Sequence, residues 1–517
     1  MTVPSSFESF VEGLKDARRQ LRQSAKNAPT TARKVVREPR SVVKGAGLAP
    51  LLVLYGHTLV DSIDRGGFNT ILPEIRDQFG MTTEQITSVA AIAIFVSLLL
   101  GVPTAYWSDR GKRRTWWLAS GAAMASVFSV LTGTAATAAA FVVARAGFGL
   151  GIRLNDPVQG SLLSDYYAVD TRPTTFAGRQ GMDNLGQLIG PLFFGVTAAV
   201  FGWRVAVLSI AVPAALLFIY SIRLHEPVRG APEREAMGAT AADAFADEEP
   251  ARFWESIRIL NRIKTVRRIY FAVPCFIGGI LGISVLMPLF QEEVFGLSSA
   301  QRGMFGSFTN VAGIFGLFVG VPITSRYLVS GKPEGVLDLL GAGGIVATVA
   351  LAGMAFSPNI WIMAAFGLVL FFIASLFLPS IGVVIAMTVP ARVRGMGFAM
   401  MAFWALPGLV MLPVAGAVGE AFGLRWGMVV GLPLLTTGAF IIAGGKADLR
   451  RDIEAAFASA MAALESPEAP AVDLVEEEAT AVVDSDPGDA EPAAAVDAVS
   501  PPPPADGVRH EGYARER

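Results

Sequence analysis

The chain has 517 residues, of which 52% are hydrophobic, and a formal net charge of -2. Its mean hydropathy of +0.50 and its repeated apolar stretches of about 20 residues exclude a soluble globular protein. A single cysteine, Cys275, excludes an intrachain disulfide and a cysteine metal cluster, and the three histidines are too far apart in sequence for a metal motif.

The charged residues are concentrated in the two terminal segments. Residues 1–46 carry about six net positive charges and residues 446–517 about eleven net negative charges. The basic cytoplasmic segment is partly amphipathic, which predicts either binding to an anionic inner leaflet or a mobile extension. The acidic tail 446–517 is predicted to be disordered, because its composition cannot bury a core.

Between these segments the sequence predicts an all-α membrane protein with twelve transmembrane helices. A polar cytoplasmic loop, 223–268, separates two six-helix halves, 47–222 and 269–445, related by a pseudo-two-fold axis. The predicted spans are 48–73, 86–107, 115–133, 137–163, 175–200 and 204–222, then 269–289, 302–325, 335–356, 359–388, 396–420 and 425–444.

Positively charged residues orient these spans in the membrane. The basic N-terminal segment, the cluster 110–114 between the second and third spans, and the cluster 262–268 before the seventh span all lie on one side. Loops rich in Lys and Arg stay in the cytoplasm, so both termini are expected there. The chain is therefore expected to be a multi-pass protein of a bacterial inner (cytoplasmic) membrane.

The first span carries charged residues close to its middle. Asp61, Asp64 and Arg65 lie within YGHTLVDSIDRGGFNTILP, residues 55–73. A charge at that depth costs about 3 kcal/mol, so it usually faces protein or water and marks a transport pathway. Asp61 and Arg65 have the spacing of a helical ion pair, and the second carboxylate, Asp64, is predicted to carry a proton. Alternatively, the three charges only hold helices together.

Three short motifs recur in the same order in both halves. The pairs are LPEIRDQFG and MPLFQEEVFG (Leu72 and Met287), GVPT and GVPI (Gly101 and Gly320), and FGWR and FGLR (Phe201 and Phe422). Their offset of about 215 to 221 residues indicates a parallel duplication of a six-helix half. This architecture resembles that of the major facilitator superfamily, in which the binding site lies between the halves near mid-membrane.

The loop after the second span resembles the signature loop of that superfamily. In GVPTAYWSDRGKRR, residues 101–114, Asp109 and Arg110 match the family's aspartate–arginine pair, and a basic cluster with Arg113 follows. The resemblance implies a gating role for these three residues, as a cytoplasmic charge latch that forms when the binding site opens outward. Alternatively, the arginines only set the topology.

The N-terminal half resembles the spinster group of lysolipid and sphingolipid transporters within the superfamily. The resemblance rests on Asp64-Arg65 in span one, on Arg145 in RAGFGLG of span four, and on LSDYY at 163–167. The group's acid seven positions after the span-four arginine is Ile152 here, so a proton relay would need another acid, and Asp61 is the nearest. The anion:cation symporters also carry an aspartate–arginine pair in span one and are the rival family.

Counting residues along the helices predicts two levels of polar side chains. Arg65 and Arg145 each lie about 12 Å inside the outer ends of their spans, at 1.5 Å per residue. Arg153 and Asp183 lie at a second level nearer the cytoplasm, where their opposite charges predict a pair. The predicted substrate-binding residues are Arg65, Arg145, Arg153, Asn155, Asp183 and Asn184. The alternative for the charged members is structural pairing.

The C-terminal half lacks comparable charges in its spans. Spans seven and ten offer mainly apolar side chains, including Phe276, Phe371, Phe372, Phe377 and Met387, with Ser284, Ser375 and Ser380 between them. Singly, these aromatic residues are expected to face lipid. As a set they predict a cavity that suits an amphiphile, with its anionic head at the arginines and its tail against the C-terminal helices.

The sequence therefore predicts a proton-coupled secondary transporter, not an enzyme, that moves an amphipathic or lysolipid-type anion by alternating access. It contains no GxxxxGK phosphate loop, and no cofactor is expected. The expected partners are protons, membrane lipids and the amphiphile, but not nucleic acid, and the expected state is a monomer. The alternatives are an organic-anion/proton symporter, a multidrug exporter, a passive lipid scramblase and a membrane scaffold.

Overall fold

The computed structural model of the protein describes residues 47–110, 113–167, 171–227, 253–330, 332–389 and 391–465. The predictions for the basic segment 1–46 and for residues 466–517 of the acidic tail lie outside this part. The chain divides into two units, 1–460 and 461–517, and the described residues of the second are 461–465, the end of a helix.

The regular elements of the described residues are helices. The N-terminal half contains α1 (Leu48–Gly67), α2 (Leu72–Phe79), α3 (Thr83–Arg110), α4 (Arg114–Thr134), α5 (Ala138–Tyr166), α6 (Arg172–Phe201) and α7 (Trp203–Ser221). The C-terminal half contains α8 (Phe253–Arg262), α9 (Lys264–Phe295), α10 (Ser299–Val329), α11 (Glu334–Ala355), α12 (Ile360–Thr388), α13 (Ala391–Ala405), α14 (Met411–Phe422), α15 (Leu424–Val429), α16 (Leu432–Ala443) and α17 (Lys446–Glu465).

The described part of the chain holds nine helices that are long and apolar enough to cross a membrane. Three further helices, α1, α3 and α5, complete the twelve predicted spans. Of these, α1 and α5 carry the charged residues of the site, which lowers their hydropathy. The prediction of an all-α membrane fold with two six-helix halves is confirmed.

Both halves pack their helices in the same way. In the N-terminal half α4 packs against α5 and α7, and α3 packs against α5. In the C-terminal half α11 packs correspondingly against α12 and α16, and α10 packs against α12. The duplication indicated by the three sequence motifs is therefore repeated in the helix packing.

The FGWR and FGLR motifs hold equivalent positions. Arg204 Nη1 donates to Ala135 O at 2.8 Å and to a second carbonyl at the end of α4. Arg425 Nη1 donates to Ala355 O at 2.6 Å and to a second carbonyl at the end of α11. The last carbonyls of a helix have no partner within the helix, so each arginine caps the third helix of its half.

Glycines allow α1 and α6 to approach closely. A Cβ atom at Gly67 would lie 2.3 Å from Gly190 O, and one at Gly190 would lie 2.4 Å from Ile63 O. Small residues permit such approach between helices in a membrane. The contact brings the polar residues of α6 against those of α1.

The two halves contact each other at one end of the bundle, which we call the closed end. There α6 packs against α10 and α3 packs against α14. The approach is tight, since a Cβ atom at Gly195 of α6 would lie 2.3 Å from Ser299 O of α10. At the same end α1 continues through a 3-10 turn, Phe68–Ile71, into α2. The topology predicted from charge places the closed end outside the cell.

The last described helix differs from the prediction. The tail was expected to be disordered from residue 446, and this is wrong for its first 20 residues, which form α17. The segment is amphipathic, with Leu449 and Ile453 fully buried. Asp452 also accepts a hydrogen bond at 2.7 Å from the backbone N–H of Thr265, which lies in the first turn of α9, where N–H groups have no partner within the helix. Within the predicted loop 223–268, likewise, residues 253–262 form α8.

A polar cluster fixes the other end of the N-terminal half. The buried Arg114 donates from Nε to Glu226 at 3.0 Å and from Nη1 to Ser161 at 2.6 Å and to Asp165 of the LSDYY motif. Glu226 also accepts from Thr115 N and Oγ1, each at 3.0 Å. Burial alone would raise the pKa of Glu226, but the hydrogen bonds from Thr115 and Arg114 outweigh it and hold the pKa below its usual range.

We expect Arg204→Met and Arg425→Met to lower the free energy of unfolding by similar amounts, about 1–3 kcal/mol each, because each leaves two helix-end carbonyls without a donor. Thermal unfolding of the detergent-purified protein measures this. Arg223→Met, at an exposed position, is the control and should change little. A large loss at one cap and none at the other would contradict their equivalence.

We expect Glu226→Gln to lower the melting temperature at pH 7, and to lower it less as the pH falls. A carboxyl whose pKa is depressed by folding stabilises the protein above its unfolded-state pKa of about 4, and this stabilisation is lost as the pH falls through the folded-state pKa. Melting curves of both proteins between pH 7 and pH 3.5 test this. A difference that stays constant across that range would show that the charge of Glu226 does not matter.

Candidate functional site

A cavity of 460 Å³ lies between the two halves, and the N-terminal half supplies most of its wall. Its polar lining residues are Asp64, Arg65, Asn69, Arg145, Arg153, Gln187 and Ser284. Its apolar lining residues are Phe68, Leu72, Ile86, Val89, Ala90, Ala93, Ile94, Phe141, Phe148, Gly149, Ile152, Leu281 and Val285. The structure thus brings together four of the charged residues that the sequence singled out.

Asp64 and Arg145 form an ion pair in the wall of this cavity. Arg145 Nη1 donates to Asp64 Oδ1 at 3.0 Å, and Nη2 donates to Oδ2 at 2.5 Å. Two parallel bonds of this kind are the strongest geometry available to a guanidinium and a carboxylate. The pair is well buried, with 13% of the Arg145 side chain and 3% of the Asp64 side chain exposed.

Two aromatic rings hold the guanidinium of Arg145 in place. Its central carbon lies 3.5 Å from the ring centroid of Phe68 and 4.5 Å from that of Phe148. Both contacts are within the range of a cation–π interaction, which is stronger where water is excluded. Arg145 is therefore positioned by the rings as well as by Asp64.

Arg65 is held much more loosely than Arg145. Its side chain is 48% exposed, and its guanidinium lies 3.9 Å from Asp183. Asp183 accepts further hydrogen bonds from Ser62 at 2.5 Å and from Gln180 and Gln187 at 3.2 Å. These neutral donors already satisfy the carboxylate, so Arg65 keeps hydrogen-bonding capacity that faces the cavity.

The remaining predicted site residues lie in different places. Arg153 lines the cavity, and Asp61 is buried in α1. Asn155 is fully buried and faces α4, where a Cβ atom at Gly121 would lie 2.1 Å from its Oδ1. Asn184 accepts from Gln180 at 3.3 Å and is not among the described lining residues. The pairs predicted between Asp61 and Arg65 and between Arg153 and Asp183 stay predictions.

The C-terminal wall of the cavity is largely apolar, but of the residues expected there only Ser284 is among its described lining residues. Phe276 and Phe377 pack edge to face at 4.7 Å between ring centroids, inside the core of the C-terminal half. The described lining residues from this half come from one face of α9: Leu281, Ser284 and Val285. The sequence correctly predicts that these helices are apolar. It does not predict which of their faces packs in the core and which faces the cavity.

The predicted gating residues at the opposite end are only partly described. Arg113 is exposed, and the side chains of Asp109 and Arg110 lie outside the described part. The neighbouring Arg114, expected from the sequence only as a member of the basic cluster, is buried in the polar cluster with Asp165 and Glu226. The sequence feature that could have indicated this role is the position of Arg114 at the start of a helix, directly after the signature loop.

A larger, open cleft of 790 Å³ lies between α11 and α17. Its charged walls are largely paired, Lys446 with Asp338 and Arg450 with Glu334 at 3.0 Å. Because these side chains are solvated and paired, the buried charges of the central cavity are the better candidates for a binding site. Within the described residues, no group of three His, Cys, Asp or Glu side chains could hold a metal ion.

The family model of the Major Facilitator Superfamily matches residues 54–395 of the chain. The probable sulfoacetate transporter SauU of Cupriavidus necator is 24% identical over 402 residues, which cover 75% of this chain and 89% of that protein. The probable L-galactonate transporter of Escherichia coli K12 is 21% identical over 220 residues, 42% of this chain, and the match spans about half (48%) of its length.

Solved structures of the same fold cover most of the chain. A bacterial homologue of the human lysosomal transporter Spinster, inward-facing and unoccupied, has a TM-score of 0.66 at 19% identity over 78% of this chain and 97% of that one. A D-xylose–proton symporter has a TM-score of 0.59 at 15% identity over 76% and 97%. The resemblance seen in the sequence is confirmed, and the chain belongs to the Major Facilitator Superfamily, as a membrane transporter rather than an enzyme.

Proposed function

We propose that the protein is a proton-coupled secondary transporter of an amphipathic, lysolipid-type organic anion. One observation carries the proposal: the central cavity presents a half-exposed arginine, Arg65, beside a wall that is otherwise largely apolar. A site of this kind complements a ligand that is anionic at one end and apolar along its length.

The anionic head is placed at Arg65. Arg145 makes two hydrogen bonds to Asp64 and contacts the two rings, whereas among the described residues Arg65 makes one long contact, with Asp183. Arg153 adds a second positive charge to the same wall. The head therefore meets available donors at Arg65, with the guanidinium of Arg153 on the same wall.

The tail is placed along the apolar walls of the cavity. These come from α3, α5 and α9, through residues such as Val89, Ile152 and Leu281. Ile152 stands where the sequence resemblance implies an acid, so this chain has an apolar surface at a position that is charged in relatives. With isoleucine in place of an acid at position 152, the apolar part of the wall is larger and a second carboxylate that could carry a proton is missing there.

The proton is assigned to Asp64. While Asp64 is ionised it accepts a hydrogen bond from each Nη atom of Arg145 and offsets the positive charge of the guanidinium, so Arg145 attracts a substrate anion only weakly in that state. Protonation of Asp64 removes its negative charge and leaves Arg145 positively charged beside its two rings. An anion and a proton would then enter the cavity together, and the returning Asp64–Arg145 pair would expel the anion once the proton leaves.

Transport of a short organic anion is the second candidate function. It is favoured by the names of two relatives, a probable sulfoacetate transporter and a probable L-galactonate transporter. Both names denote small polar anions, which would use Arg65 and Arg153 without needing the apolar wall. The two candidates differ in whether ligand affinity depends on an alkyl chain.

We expect lysophosphatidylglycerol to stabilise the detergent-purified protein against heat more strongly than sulfoacetate does. A ligand at 100 times its Kd adds about 2.7 kcal/mol to the folded state. Arg65→Gln should abolish this stabilisation, and Arg223→Gln, at an exposed position outside the cavity, should retain it. Stabilisation by sulfoacetate alone would instead support the short-anion function, and retention in Arg65→Gln would contradict the assigned head site.

We expect Asp64→Asn to abolish the accumulation of substrate driven by a pH gradient while retaining its downhill flux. The asparagine keeps the shape of the side chain but cannot exchange a proton. Flux into proteoliposomes with and without an imposed pH gradient measures both activities. Asp77→Asn, which removes an exposed carboxylate at the closed end, is the control. Uphill accumulation by Asp64→Asn would rule out Asp64 as the coupling residue.

A further inference from the structure

The closed end contains a cluster of charged residues that joins the two halves. Arg302, at the start of α10, is buried, with 1% of its side chain exposed. Its guanidinium crosses to the N-terminal half, where it pairs with Glu74 of α2 and donates to Thr70 O at 3.2 Å. It also donates to Leu297 O of its own half at 2.8 Å. An arginine of one half is thus held by both.

Arg76 makes the reciprocal contact from the N-terminal half. It pairs with Glu293 at the end of α9 and lies 3.6 Å from Glu292. Glu292 also lies 3.6 Å from Arg302. One carboxylate therefore stands between two arginines that come from different halves.

These contacts form a continuous network in which each half supplies an arginine and an acid to the other. An isolated exposed salt bridge contributes little to stability, but a network with a buried member contributes more. Separating the halves at this end would expose Arg302 to water only after its bonds to Glu74 and Thr70 are broken. The halves are additionally locked by Ser307, which donates to Leu188 O of α6 at 2.6 Å.

We propose that Glu74, Arg76, Glu292, Glu293 and Arg302 form a latch that holds the closed end shut and must break for the cavity to open there. We call these five residues the closed-end latch. The inference rests on the protein being a transporter of this superfamily, and it is independent of the substrate and the proton site proposed above. It adds gating residues at the end opposite to Asp109, Arg110 and Arg113.

The latch is tested by measuring the distance between the halves at the closed end. Spin labels at Ala136→Cys and Pro358→Cys, both exposed and on different halves, report this distance in a Cys275→Ser background. The full-length protein is placed in lipid nanodiscs, and double electron–electron resonance gives the distance distribution. No substrate is needed for the measurement.

Glu74→Gln/Glu293→Gln removes one acid of each half while keeping the size of both side chains. We expect the ratio of long to short label distances to rise at least about fivefold, the lower end of typical coupling between two sites. Asp77→Asn is the matched control, because Asp77 contacts the same Arg76 at 3.0 Å but belongs to the same half. It should leave the ratio unchanged.

Two outcomes would overturn the proposal. The first is an unchanged distance distribution in Glu74→Gln/Glu293→Gln when the variant elutes as a folded monodisperse protein. The second is an equal rise in Asp77→Asn, since this would reflect surface charge and not contact between halves. If the double variant does not fold, the more exposed Glu293→Gln alone is judged by the same two criteria, with Glu292→Gln beside it.

Discussion

The Asp64–Arg145 pair is the interaction on which the rest of the binding site depends. Charges within an apolar bundle are costly unless they are paired and hydrogen bonded. Here the carboxylate satisfies two guanidinium donors, and two phenyl rings lie within cation–π distance of the guanidinium. The same pairing makes Arg65 the available cation of the cavity. Any event that neutralises Asp64 therefore changes the field at the place where a substrate anion would bind.

The duplicated architecture assigns different tasks to its two halves. The helix packing is the same in both halves, and Arg204 and Arg425 cap equivalent helices. The charged side chains of the cavity, however, all come from the N-terminal half, and α9 contributes mainly apolar contacts. The two halves therefore share a scaffold but not their chemistry, and the described wall of the cavity is asymmetric.

The sequence predicts the spans, their grouping and the duplication, because apolar length and repeated motifs are local signals. It also identifies the charged residues of the cavity, since intramembrane charge is rare. It does not identify partners that lie far apart in the sequence: Asp64 binds Arg145, 81 residues away, and Arg65 lies 3.9 Å from Asp183 on another helix. The closed-end latch was missed for the same reason, because Arg302 and Glu74 are 228 residues apart. The helix α17 was missed because its two buried residues were outweighed by the acidic composition of the tail.

The contacts of Arg145 with Phe68 and Phe148 have a consequence for the proposed proton coupling. The two rings hold the guanidinium independently of its carboxylate, so neutralisation of Asp64 would leave Arg145 in place. The proposed proton would then alter charge but not shape, and little reorganisation energy would accompany its arrival. The geometric change that drives alternation would originate elsewhere, in the ligand that bridges the two walls or at the ends where the halves meet. In this proposal the residue that senses the ion is separate from the elements that move.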